Sequence, residues 1–276
     1  MNALRIKFDK HGKVRFTSHR DVARIWERAV RKAQLPLAWT QGFSPRPKVA
    51  FGLALSTGSA SDAEYIDVIL DTARVATASP GAEPPTAGRS SGPARCVPML
   101  LPCSFEELPR VLSAALPAGM DVIGVAGLVP GAPSLQQAVT SCTWEIEVSE
   151  TNTTEVSAWA EAVLAASSLV LTRERKGKPV TEDLRPGIRS LQVVASADSG
   201  SPVRLLAELA TQPRALRPTE LLDALDSGFS ARLTTRRNQW IEWDGRRCDP
   251  LEVDTTTVVY AATAAAPVPH AQACEQ

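Results

Sequence analysis

Apolar and polar residues alternate over residues 4–8: Leu4, Ile6 and Phe8 point one way, Arg5 and Lys7 the other, which predicts a strand with a basic outer face. The same period returns through Val14 and Phe16, so residues 4–17 are expected to form a hairpin turning at 9–12. The spacing then becomes helical, with Val22, Ile25, Trp26, Ala29, Val30 and Ala33 on one face. Ser18, followed three residues later by Asp21, is placed to cap that helix. Short strands follow at 37–40, 49–55 and 63–70, then a helix at 105–116 and a strand at 120–128.

This order of strand, helix, strands, helix, strand is that of a ferredoxin-like α+β unit, here closed by a boundary at residues 130–133. The second half begins alike, with a strand at 140–148, a helix at 154–166 and a strand at 169–173. A basic hairpin at 173–181, strands at 188–195 and 203–209 and a helix at 218–225 complete it. The expected architecture is therefore α+β: two ferredoxin-like α/β-sandwich units in tandem, residues 1–128 and 134–250. Residues 79–95, rich in Pro, Gly and Ser, are expected to be a disordered insertion in the first unit, and 261–276 a disordered tail.

Charge changes this picture more than composition does. The 276 residues carry 30 basic and 30 acidic side chains, so net charge points to no class of partner. The distribution is uneven: residues 1–50 hold 12 Lys or Arg against 3 Asp or Glu, residues 173–189 hold 6 against 3, and residues 232–247 hold 5 against 2. If those segments meet in space they form one electropositive surface on an acidic body. No stretch is apolar over a membrane-spanning length, and the expectation is a soluble cytoplasmic protein without membrane contact. The five cysteines, at 96, 103, 142, 248 and 274, include no Cys-x-x-Cys pair, so neither a disulfide framework nor a metal site is expected.

The candidate binding residues come from three places. Arg20, Arg24, Arg28 and Arg31 recur on the polar face of the first helix, as either a solvated face or a phosphate-binding rail. Arg46 and Lys48 lie in the stretch 41–52, which Pro45 and Pro47 stiffen; Phe43 beside them is either a base-stacking platform or a core anchor for the loop. Arg173, Arg175, Lys176 and Lys178 belong to the basic hairpin. Glu64 and Asp67 either brace the Arg46 loop by salt bridges or face water. His19 is either a plain first-turn residue or a base for metal-independent RNA cleavage.

The stretches Phe16-Thr17-Ser18-His19-Arg20-Asp21, 41–52 and Ala63-Glu64-Tyr65-Ile66-Asp67 resemble the bacterial radical-SAM-linked proteins, and 175–186 and 216–221 resemble the second half of that family. The resemblance spans residues 3–240 apart from the insertion. It implies a B12-binding radical-SAM protein as partner and, by gene context, an RNA setting (tRNA or rRNA). The chain has no Cys-x-x-x-Cys-x-x-Cys, so any radical chemistry belongs to that partner. It likewise has no phosphate loop, zinc helix or nucleophile turn, and no cofactor is expected. The expected function is a non-catalytic, RNA-binding or substrate-presenting subunit. The alternatives are a protein-interaction module without RNA contact and a metal-independent endoribonuclease.

Overall fold

The computed structural model describes residues 3–71, 103–149, 151–175, 177–194 and 202–260. The expectations for residues 79–95 and 261–276 lie outside these. The first half contains β1 (Ala3–Lys10), α1 (His19–Lys32), β2 (Val49–Phe51), β3 (Ala60–Ile69), α2 (Leu108–Ser113) and β4 (Val122–Leu128). The second contains α3 (Leu135–Ala138), β5 (Val139–Val148), α4 (Thr153–Ala165), β6 (Val170–Arg175), β7 (Lys178–Asp183), β8 (Ile188–Val194), β9 (Val203–Ala210), α5 (Pro218–Leu222), β10 (Ala231–Trp243), β11 (Arg246–Cys248) and β12 (Thr255–Tyr260). The result is a mixed α and β architecture with one long curled sheet and few helices.

In the first half the strands lie in the order β4-β1-β3-β2, every neighbour antiparallel. Leu4, Ile6 and Phe8 of β1 and Ile66 and Val68 of β3 face α1, whose Val22, Trp26 and Val30 close over them as one buried cluster. Trp26 meets the Phe8 ring edge-on at 4.9 Å. Ser18 caps α1 as expected, its side chain accepting from the Asp21 N–H at 3.2 Å.

The hairpin expected over 4–17 does not form. Both edges of β1 are already paired, with β3 and β4, so residues 13–17 have no edge to join. They wind instead into a 3-10 turn over Gly12–Phe16, where the N–H and hydroxyl of Thr17 both donate to the carbonyl of Val14.

In the second half the order is β10-β5-β9-β8, again all antiparallel, which repeats the relation of the first four strands. The segment expected as a sheet strand at 169–173 instead opens a separate two-stranded hairpin, β6-β7, and β8 takes the sheet position. The thirteen-residue β10 was not expected at all.

β3 and β10 join the halves in parallel, with Thr235 opposite Ala60 and Arg236 opposite Ser61. The same edge of β3 pairs with β2 further along, from Ile66 to Val68, so β2 and β10 diverge and leave a fork between them. Residues 249–253 then cross back over the first half. Lys7 bonds Asp249 at 2.7 Å, Arg5 donates to the Pro250 carbonyl at 3.2 Å, and the Tyr65 hydroxyl donates to Asp249. Burial, reinforced by Asp249, raises the Tyr65 pKa and keeps its hydroxyl a donor. β12 finally pairs with β4.

Candidate nucleic-acid interface and the adjoining cleft

The polar face of α1 presents Arg20, Arg24, Arg28 and Arg31 to solvent. Arg24 donates to Asp21 at 3.2 Å, and Arg31 lies over the Trp39 ring at 5.3 Å. Among the described residues Arg20 and Arg28 have no carboxylate partner. The Arg31–Trp39 contact ties the helix to residues 38–48, which form a narrow finger: Trp39 bridges Pro47, the Thr40 N–H donates to the Arg46 carbonyl, and the Lys48 N–H donates to the Ala38 carbonyl, both at 2.8 Å. Gly42 turns the tip with φ of 132°, a region costly for other residues. Arg46 and Lys48 are exposed, and their side chains also have no acidic partner among the described residues. The structure thus sets the finger that carries Arg46 and Lys48 against the Arg31 end of α1.

Phe43 sits at the tip of the finger at full exposure. It is not a core anchor, because a loop stabilised by its own backbone bonds and prolines needs none. Glu64 and Asp67 do not brace this loop either. Three residues apart on a strand, they lie on opposite faces: Asp67 pairs with Arg5 at 2.8 Å beneath the returning chain, and Glu64 pairs with Arg236 at 2.5 Å in the fork between β2 and β10.

Beside the α1 N-terminus is a cleft of about 740 Å³. Its floor carries Cys142, Trp144 and Leu209. One wall is His19 with residues 53–57 of the first half; the other is Arg173, Glu174 and residues 214–218 of the second. His19, which lies edge-on to Phe51 at 5.2 Å, and the base of the β6-β7 hairpin therefore line one space. Arg236 lies in the fork, 1% exposed, donating to Glu64 and to the Leu53 carbonyl and covering the Trp144 ring at 5.5 Å. Burial pushes the Cys142 thiol up to about 11, so it is a neutral, weakly reactive group.

The hairpin cations fare differently from those of α1. Arg173 and Arg214 form a closed ring of ion pairs with Glu182 and Glu220, at 3.0 Å for Arg173–Glu182, 2.6 Å for Arg214–Glu182 and 2.8 Å for Arg214–Glu220, completed by Arg173–Glu220. Arg173 is thus held, half-buried and ion-paired, as part of the wall. Lys178 is exposed near the hairpin turn with no acidic partner among the described residues; Lys176 and the Arg175 side chain lie outside the described residues. The third basic segment, 232–247, is largely consumed: Arg232 pairs with Glu147, Arg237 with Asp62 and Glu145, and Arg247 with Glu208.

Four cleft residues were not among the candidates read from the sequence, although Arg217 lies in the stretch 216–221 and Arg236 in the basic segment 232–247: Trp144, Arg214, Arg217 and Arg236. Arg217 is exposed and has no ion pair among the described residues, directly before the Pro218 that opens α5. Its separation from β6 and from residues 53–57 hides the grouping until the chain folds. No helix among the described residues is long and apolar enough to cross a membrane.

A family described as "Uncharacterized protein conserved in bacteria (DUF2344)" matches residues 3–80 and 96–218. The gap at 81–95 falls within the Pro/Gly/Ser-rich segment marked as an insertion. That match covers the α1 face, the 38–48 finger and most of the cleft, and it makes no link to radical-SAM proteins. No curated protein matches the chain.

Proposed function

We propose that this chain, which belongs to the DUF2344 family of proteins conserved in bacteria, is a non-catalytic RNA-binding protein that engages phosphates along α1 and the 38–48 finger. The observation that carries the reading is a contrast in pairing. Arg20, Arg28, Arg46 and Lys48 are exposed without carboxylate partners among the described residues, whereas Arg173, Arg214, Arg232, Arg236, Arg237 and Arg247 are all ion-paired. Cations left unpaired on one surface release counterions when they meet a phosphate backbone. Phe43, fully exposed in the finger, offers a ring on which an unpaired base stacks. The two strand orders, β4-β1-β3-β2 and β10-β5-β9-β8, support reading the architecture as two ferredoxin-like units in tandem.

Binding of tRNA and rRNA fragments across a salt series tests the proposal. A steep linear fall of log affinity with log salt is expected; weak, salt-insensitive binding overturns it in favour of a module that contacts only protein. A B12-binding radical-SAM protein is proposed as the partner on sequence resemblance, and its recovery with this chain from the native cell is the corresponding test.

His19 favours a second reading, metal-independent RNA cleavage, because it is exposed at the α1 N-terminus and lines the cleft. Incubated RNA carrying new 2′,3′-cyclic phosphate ends, absent with His19→Ala, would establish it.

A further inference from the structure

We infer that the cleft is a nucleotide site, taking one heteroaromatic base and its phosphate from an RNA strand held on the α1 face. The inference rests on the RNA reading for its source of ligand, but the cleft has its own chemistry. Its volume of about 740 Å³ lies within the range of roughly 300–1,000 Å³ that small-molecule sites span. Apolar surface from Trp144, Leu55, Leu209 and Leu216 suits the faces of a flat ring.

The polar groups are of both signs and are held in place. Glu182 and Glu220 fix the guanidinium groups of Arg173 and Arg214, so these planar donors are oriented before any ligand arrives. Glu174, exposed on the same wall, supplies an acceptor. A polyanion without a base would meet Glu174 unfavourably, and a purely apolar ligand would leave Glu174 and Arg217 unmatched. A base edge, carrying donors and acceptors together, satisfies both. Arg217, whose side chain forms no ion pair among the described residues, is the cation left for phosphate. Position supports the same ligand: His19 lines the cleft and is the first residue of α1, whose following turns carry Arg20, Arg24 and Arg28. A strand lying along that stripe reaches the cleft at its end.

The test uses the full chain and a single-stranded RNA of about 12 nucleotides carrying one 4-thiouridine, crosslinked by ultraviolet light and mapped by mass spectrometry. Crosslinks to peptides containing residues 142–144 or 209–218 are expected, reduced about tenfold or more in Arg217→Glu, where repulsion replaces attraction, while crosslinks to residues 38–48 persist. If the RNA binds and crosslinks only to α1 and residues 38–48, the cleft inference is overturned and the RNA reading stands. If the RNA does not bind, the RNA reading falls, and titration with AMP and UMP decides the cleft. Saturable quenching that disappears in Trp144→Phe keeps a nucleotide site for free nucleotides. Its absence up to roughly 10 mM, ten times a millimolar Kd, overturns the site as well. Circular dichroism of each variant confirms folding, and Arg217 is exposed enough that its replacement leaves the core untouched.

Discussion

Replacing Arg236 with Met tests whether the fork between β2 and β10 is sealed by one ion pair. Arg236 is 1% exposed and the Glu64 side chain 12%. Its guanidinium donates twice to Glu64 and once to the Leu53 carbonyl, so removal takes these partners from a largely buried carboxylate and from a carbonyl. Breaking a buried pair from one side costs about 3–5 kcal/mol, because the remaining charge keeps its desolvation penalty. At about 2–4 °C per kcal/mol for a chain of this size, the melting temperature should fall by roughly 10 °C. The double variant Glu64→Leu/Arg236→Met removes both charges and should be more stable than Arg236→Met alone, since an apolar pair of similar volume is about neutral relative to a buried ion pair. Urea denaturation of the parent, both single variants and the double, compared at constant m-value, measures the coupling. A loss below about 1 kcal/mol for Arg236→Met, or a double variant that loses the sum of the two singles, would refute the reasoning: the pair would then be solvated and the fork held by backbone pairing alone.

Changing Arg46 and Lys48 together to Ala should lower the logarithmic salt slope of single-stranded RNA binding by about 1.4, or 0.7 for each lost phosphate contact, with an unchanged circular dichroism spectrum; an unaltered slope would remove the finger from the interface. Phe43→Ala should weaken RNA binding by about 1–3 kcal/mol yet leave the urea midpoint in place, since a fully exposed ring contributes nothing to the core; a shifted midpoint would contradict that. His11 bonds Asp62 at 2.8 Å, and this hydrogen bond, against the opposing effect of burial, raises its pKa above the ordinary 6.5. The folded value exceeds the unfolded one, so the contribution is complete below about 6.5 and lost as pH rises through the raised value. Melting curves from pH 5.5 to about 8.5 should show the parent losing its advantage over His11→Gln, with Asp9, Asp62 and Arg237 as the neighbouring charges; a constant difference would count against the linkage. Gly119→Ala should destabilise strongly, because φ is 89° and an added Cβ would lie 2.6 Å from the His11 carbonyl oxygen; a parental melting temperature would show that this turn can shift.

Several elements are written in single stretches of the chain. β1, α1, β3 and β5 could be read because their apolar period follows the face that each buries. The Ser18 cap depends only on neighbouring residues, so it too was legible. β10 was not, because Thr235, Arg236 and Gln239 occupy buried positions and break the alternation. They are tolerated because partners more than 170 residues away, Glu64 for Arg236 and the Ala63 carbonyl for Gln239, satisfy them. The failed hairpin at 4–17 has a similar origin: residues 13–17 alternate suitably, but β3 and β4 already occupy the edges they would need.

Charge divides the same way. Counting cations along the sequence marks three basic segments, yet which cations remain available to a ligand depends on the carboxylates that strand pairing sets opposite them. Arg237 faces Asp62 and Glu145 across two strand junctions, whereas Arg28 faces water. Local patterning determines which side chains an element presents. Only closure of the β3–β10 junction and the return of residues 249–253 decide which of those side chains meet, because hydrogen bonds and ion pairs act over a few ångströms of space and are blind to separation along the chain.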